Sequence, residues 1–257
     1  MRPITALLAA ALLLLAGAAA AAEIRVMSSG GFTAAYRALV PAFERATGNR
    51  VVTAYGASMG NAPDSIPSRL ARGEPADLVI LAGPALDRLI AQGRAVAGSR
   101  VDLGRSIIGM AVRAGAPRPD IGSVEAFKRT LLDARSIAYS ASASGTYLTT
   151  ELFPRLGIAD RVMGKSRKIL SERVGTAIAR GDAEIGFQQV SELLPIPGID
   201  YVGPLPPELQ QVTLFAAGIA VGAAEPEAAR SLAAFLASPA AAAVIRKTGL
   251  EPIEPAR

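Results

Sequence analysis

The sequence predicts an α/β protein of two lobes, with mostly parallel sheets, two hinge strands and a cleft between the lobes. Strand-like and helix-like patterns alternate along the chain with connections of about 2–6 residues, the arrangement that places helices on both faces of a parallel sheet. Two long apolar strands, about Ile107–Val112 and Thr213–Val221, flank the middle third, and neither a long polar linker nor a repeat of fixed period interrupts the chain. These two strands are expected to cross between one lobe of residues 23–106 plus 213–257 and another of residues 107–212.

Each element follows from its pattern. Ile24–Ser28 reads as a strand and Phe32–Thr47 as a helix closed by Gly48. Val51–Gly56 is a second strand, and Ser65–Arg72 a short helix stopped by Gly73. The run "ADLVILA", Ala76–Ala82, is almost continuously apolar, as suits a strand covered on both faces. Leu86–Gln92 is helical, and "SIIGMAVRAG" reads as one long strand. Val124–Ala134 follows as a helix, Ser136–Ser140 as a strand, then Gly145–Leu156 and Val174–Arg180 as helices and Ala183–Gln189 as a strand. A Pro-rich stretch, Leu194–Pro207, leads into "VTLFAAGIAVGA", and a last helix spans about Glu225–Thr248.

The first 22 residues stand apart. A positive start at Arg2, an apolar stretch from Ile4 to about Ala16 and small residues before Glu23 read as a secretory signal peptide cut after Ala22. That stretch is shorter than the roughly 20 residues a spanning helix needs, so a mature protein in the periplasm without a membrane span is expected. Cysteine is absent, so stability must come from apolar burial, which the remaining chain of about 235 residues can supply. Histidine is absent too, which removes the usual general base, the usual metal ligand and every Ser-His or Cys-His site. With no tryptophan and few aromatic residues there is no stacking platform for nucleic acid. The modest basic excess suits a small anionic ligand; no cofactor and no metal are expected, and the protein is expected to be a monomer.

Ligands of open α/β sheets collect at the C-terminal ends of strands. Four loops there share a chemistry. Ser28, Ser29, Gly30 and Gly31 follow the first strand; Ser58 stands in "GASMGN" after the second. "ASASGTY" brings Ser142, Ser144, Gly145 and Tyr147, and Gln188 and Gln189 end "EIGFQQ". Serine and glycine are ordinary turn and cap residues, so each loop alone is weak. Converging, their hydroxyls and amides would replace the water shell of an oxyanion. Arg69, near the start of a short helix, is a candidate clamp for a carboxylate, whereas Arg72 is read as solvated. Arg173 is the exception among otherwise exposed basic residues, because the helix beginning at Val174 could face the ligand.

The segments "EIRVMSSGGFTAAYRALVPAFERATG", "RLARGEPADLVILA" and "LSERVGTAIARGDAEIGFQQ" resemble the molybdate-binding branch of type II periplasmic solute-binding proteins over nearly the whole mature chain. "GEPAD" before an apolar strand is the most specific piece. The resemblance implies two α/β lobes closing on a tetrahedral oxyanion, held by serine hydroxyls and backbone amides, for delivery to an ABC permease. Where the family carries its first ligand serine this chain has Gly31. About four extra residues, near "GNAP", follow Ser58. The family's third-loop alanine matches Ser144, its backbone donor matches Val174, and its ligand tyrosine falls on Gln189. These departures widen the site and add donors, which points beyond molybdate to a di- or tricarboxylate.

"SSGGFTAAY", "GASMG" and "YSASASG" are also similar to the aconitate isomerases, enzymes on the same fold. That resemblance implies interconversion of trans- and cis-aconitate by an allylic 1,3-proton shift. Such chemistry needs one base and donors that hold the carboxylate over which charge spreads. Without histidine or cysteine the base is a carboxylate, a lysine or a tyrosine such as Tyr147, and the sequence singles out none. Capture of an oxyanion or polycarboxylate is the leading expectation, and isomerisation is the alternative.

Overall fold

The computed structural model describes residues 21–253; the segment read as a signal peptide lies, but for Ala21 and Ala22, outside the described residues. Two sheets organise the chain. The first has the order β11-β4-β10-β3-β1-β2 and the second β7-β6-β8-β5-β9. In the first half of the chain β1 (Glu23–Ser28), α1 (Gly30–Thr47), β2 (Arg50–Tyr55), α2 (Ile66–Ala71), β3 (Leu78–Ala82), α3 (Gly83–Ala91) and β4 (Val101–Ser106) precede the crossing to the second sheet. There β5 (Ile108–Arg113), α4 (Val124–Asp133), β6 (Ile137–Ser140), α5 (Ala143–Tyr147), β7 (Ser166–Ile169), α6 (Val174–Arg180), β8 (Ile185–Gln189), α7 (Val190–Leu193) and β9 (Ile199–Pro204) follow. The chain then returns through β10 (Thr213–Ile219), α8 (Pro226–Leu236), α9 (Ala242–Lys247) and β11 (Glu251–Pro252).

The sheets are mixed rather than mostly parallel. The pairs β1·β2, β1·β3, β6·β7 and β6·β8 are parallel. The pairs of β10 and β5, and β11 on β4, are antiparallel. The long strand read over "SIIGMAVRAG" divides at Ile107: β4 belongs to the first sheet and β5 to the second. Gln210 takes over at that break, accepting from Ile108 N at 2.8 Å and donating to its carbonyl at 3.0 Å.

Three further elements differ from their patterns for local reasons. The last helix is broken, because Pro239 has no N–H and Ser238 before it is extended (φ −69°, ψ 154°); α8 and the segment Pro239–Lys247 meet at 54°. The Pro-rich stretch contains β9, an edge strand that ends in Pro204, the kind of position where a missing donor costs little. Polar β7, "SRKI", is the opposite edge of that sheet and carries no alternation to betray it.

Each sheet has its own core. Phe32, Tyr36 and Phe43 of α1 meet Leu232 and Leu236 of α8 over the first sheet. Phe127, Phe153 and Phe187 pack over the second, with Phe127 and Phe187 edge to face at 5.7 Å. Each such ring contributes roughly 1.5–3 kcal/mol by burial. Asp77 of "GEPAD" is buried and accepts from Arg25 N (2.7 Å), Ala224 N (2.7 Å) and Glu225 N (3.0 Å). It ties the entry of β1 to the turn before α8. The parallel strands β1, β2, β6 and β8 therefore present their C-terminal ends from fixed platforms.

Candidate functional site

A cavity of about 350 Å³ lies where those strand ends meet, with walls from both sheets. Eight of the sequence-selected residues line it: Ser29, Gly30, Gly31, Ser58, Ser142, Ser144, Gln188 and Gln189. Ser58 is buried and accepts Ala82 N–H at 2.9 Å, which fixes its oxygen and leaves the hydroxyl proton for a ligand. Ser29 Oγ and Gln189 Oε1 are buried with no hydrogen-bond partner. Two orphaned polar atoms of cavity-lining residues are groups that a ligand or water must satisfy. Gln189 Nε2 meanwhile donates to Thr213 Oγ1 at 2.9 Å.

Five selected residues do not line the cavity. Arg69 is spent on Glu74 at 2.6 Å and on the Asp64 carbonyl at 3.0 Å, so the expected carboxylate clamp is an internal ion pair. Tyr147 is buried in the second core and its hydroxyl donates to Leu209 O at 2.9 Å, which excludes it as the base. Gly145 serves packing: a Cβ there would stand 1.7 Å from the Ser140 carbonyl oxygen. Ser28 is wholly buried at the end of β1, one residue behind the wall. Val174 N–H is taken by Gln188 Oε1 at 2.8 Å, so this backbone donor is already satisfied.

The cavity also holds groups that sequence reasoning did not select, Arg37, Tyr55, Asp64 and Glu192, together with Arg173, the noted exception. Glu192 lies in the single turn of α7 directly after β8. It is buried, and Gln188 Nε2 donates to its Oε1 at 2.9 Å. Because Gln188 accepts from Val174 on its other face, its amide orientation is set and the carboxyl is aimed. Gly30 makes the room: a Cβ there would lie 1.8 Å from Glu192 Oε1. Burial pushes the Glu192 carboxyl up to about 7, against the opposing pull of the Arg173 charge and the Gln188 bond. One signal for it was present in the sequence, a lone acid in the apolar run "VSELLPI", four residues after Gln188.

The mouth is bridged by the segment after Ser58. Thr146 Oγ1 donates to the Met59 sulfur at 3.6 Å, and Ser171 Oγ donates to Asp64 Oδ1 at 3.1 Å. Met59 and Asp64, on either side of "GNAP", thus reach across from the first sheet's side to the second's.

Comparison with known proteins places these features in a group. An aconitate isomerase from Pseudomonas sp. is 50% identical over 230 residues, which cover 90% of this chain and 88% of that protein. A molybdate-binding protein of Azotobacter vinelandii is 28% identical over 178 residues, covering 67% of this chain and 66% of that one. Among solved structures, the Azotobacter vinelandii periplasmic molybdate-binding protein superposes with a TM-score of 0.72 at 22% identity, covering 91% of this chain and all of that one. The sulfate-binding protein of Mycobacterium tuberculosis gives 0.70 at 19%, covering 91% and 88%. The family model of the bacterial extracellular solute-binding proteins matches residues 24–251, and the chain belongs to that family.

Proposed function

We propose that this protein is a periplasmic aconitate isomerase, in which Glu192 moves the proton of an allylic 1,3-shift between trans- and cis-aconitate. The observation that carries the reading is a buried carboxyl on the cavity wall, aimed by Gln188 and brought by burial to about 7. A base whose proton affinity matches neutral pH is what such a transfer needs. The 50% identical relative supports the same reaction class.

In the proposed step Glu192 takes a proton from the substrate methylene. The C–H electron pair becomes the new double bond, and the former double bond's electrons spread into the adjacent carboxylate. The conjugate acid of Glu192 returns the proton at the far allylic carbon, so no atom is gained or lost. Ser29, Ser58 and Ser144 are assigned to the carboxylate that carries the charge, from a site already shaped to receive it. The proposed lobes are residues 23–106 plus 213–257 and residues 107–212, closing over the ligand.

Capture for an ABC permease is the second reading, favoured by the family itself. Incubation of purified protein with trans-aconitate in D₂O separates the two. Isomerisation converts trans to cis, with deuterium entering the carbon skeleton when Glu192 exchanges its proton with solvent. Binding alone shifts or broadens signals, because holding the ground state lowers no barrier. Bound but unconverted aconitate sinks the isomerase reading.

A further inference from the structure

We infer that Arg37 and Arg173 form a two-point clamp that selects ligands carrying carboxylates at two ends, one for each wall of the cleft. The inference rests on the reading of the cleft as a polycarboxylate site. The two residues come from different halves of the fold. Arg37 lies on α1 after the first strand of the first sheet, and Arg173 immediately precedes α6 in the second half. Both line the cavity.

What separates them from other arginines nearby is that neither is held in an ion pair, although the Arg173 charge also acts on the Glu192 carboxyl. Arg69 is paired with Glu74, and Arg180 holds Glu172 with two bonds of 2.7 Å and Asp182 at 2.6 Å. Among the described residues no carboxylate lies within ion-pair distance of Arg37 or Arg173. Glu172, the cavity carboxylate adjacent in sequence to Arg173, is the one that Arg180 occupies. Arg37 is also aimed. Its Nε donates to the Tyr55 hydroxyl at 3.1 Å and its guanidinium carbon stands 4.6 Å from the centre of that ring. This fixes the plane of the fork and leaves its terminal nitrogens for a ligand.

A guanidinium with no ion-pair partner on each wall asks for negative charge at two places. A compact tetrahedral oxyanion brings one charged centre, whereas a tricarboxylate brings three along a short chain. Each arginine can take one carboxylate through two parallel N–H···O bonds. The third carboxylate is then left to the serines, beside Glu192.

Calorimetric titration with propane-1,2,3-tricarboxylate tests this, because that ligand has no double bond and cannot be turned over. Arg37→Gln and Arg173→Gln should each weaken its binding about 10–100-fold, the range for loss of charge-assisted hydrogen bonds. Crotonate, with one carboxylate, should respond to at most one of the two changes, and molybdate should lose less than about threefold in either. Arg37→Lys and Arg173→Lys should fall between, keeping charge without the fork, and melting curves of all variants check the fold. Tricarboxylate affinity within threefold of the unsubstituted protein in both Gln variants overturns the clamp, even where aconitate is isomerised. Arginine-dependent binding without isomerisation sinks the isomerase reading and leaves the clamp standing. No binding of any tricarboxylate to the unsubstituted protein overturns both.

Discussion

At the scale of single residues, the site turns on Gly30 giving space to Glu192. The contact of 1.8 Å that a Cβ at position 30 would make is with the tip of a side chain, not with backbone. Gly30→Ala should therefore fold, with a melting temperature changed by only a few degrees, while the carboxyl is pushed off its bond to Gln188. Aconitate turnover should fall about 100-fold, on the scale of a lost acid–base contribution. An alanine variant with full activity would remove Glu192 from the mechanism. The same carboxyl sets a pH dependence whose sign is fixed by burial. Its folded value, about 7, lies above the ordinary 4.5, so the folded state holds the proton more tightly than the unfolded chain. Stability contributed by the protonated form is fully present below about pH 4.5 and is lost as pH rises through 7, by up to about 3 kcal/mol. Glu192→Gln should flatten that part of the stability profile; urea unfolding at pH 5 and pH 8 for both proteins measures it.

At the scale of elements, the loops after parallel strands were legible and the side-chain economy was not. Serine and glycine after β1, β2 and β6 announced donors at strand ends, and eight of the thirteen selected residues line the cavity. Arg69 could not be placed from spacing, because its partner Glu74 lies beyond the Gly73 turn and outside any helical i+3 or i+4 relation. The break at Ile107 was hidden in the same way: the apolar pattern runs through Ile107 and Ile108 without interruption, and the group that replaces the ladder is Gln210, about a hundred residues later. "GEPAD" was recognisable as a signature, and the structure supplies its physical reason in the three amides that converge on Asp77. Asp77→Ala leaves those donors buried without a partner. It should cost about 2–4 kcal/mol in urea unfolding, with ligand affinity per folded molecule unchanged. A cost below about 0.5 kcal/mol would make the motif's aspartate something other than a structural tie.

At the scale of the whole molecule, two halves with separate cores meet at a buried junction and at an exposed mouth, and the two kinds of contact bear on how a ligand would leave. Ser191 Oγ, on α7, donates to the Gly31 carbonyl at 2.7 Å, deep at the junction and close to Glu192. The proposed base is thus carried on an element that joins the halves. At the mouth the bridges are weaker, with the exposed Ser171–Asp64 bond at 3.1 Å and the Thr146–Met59 contact at 3.6 Å. One exposed hydrogen bond is worth roughly 0.5–1.5 kcal/mol, enough to change an escape rate but not to hold the fold. Ser171→Ala should therefore raise the dissociation rate of propane-1,2,3-tricarboxylate about 2–10-fold in stopped-flow displacement, while the association rate changes less than twofold. The consequence for turnover depends on what limits it. Where product release is slow, as in many enzymes that close over their substrate, the variant should isomerise aconitate faster at saturation. Where proton transfer is slow, saturated turnover should stay level or fall while KM rises with the faster escape. An unchanged dissociation rate would mean that the segment after Ser58 is a wall of the cavity and not its clasp.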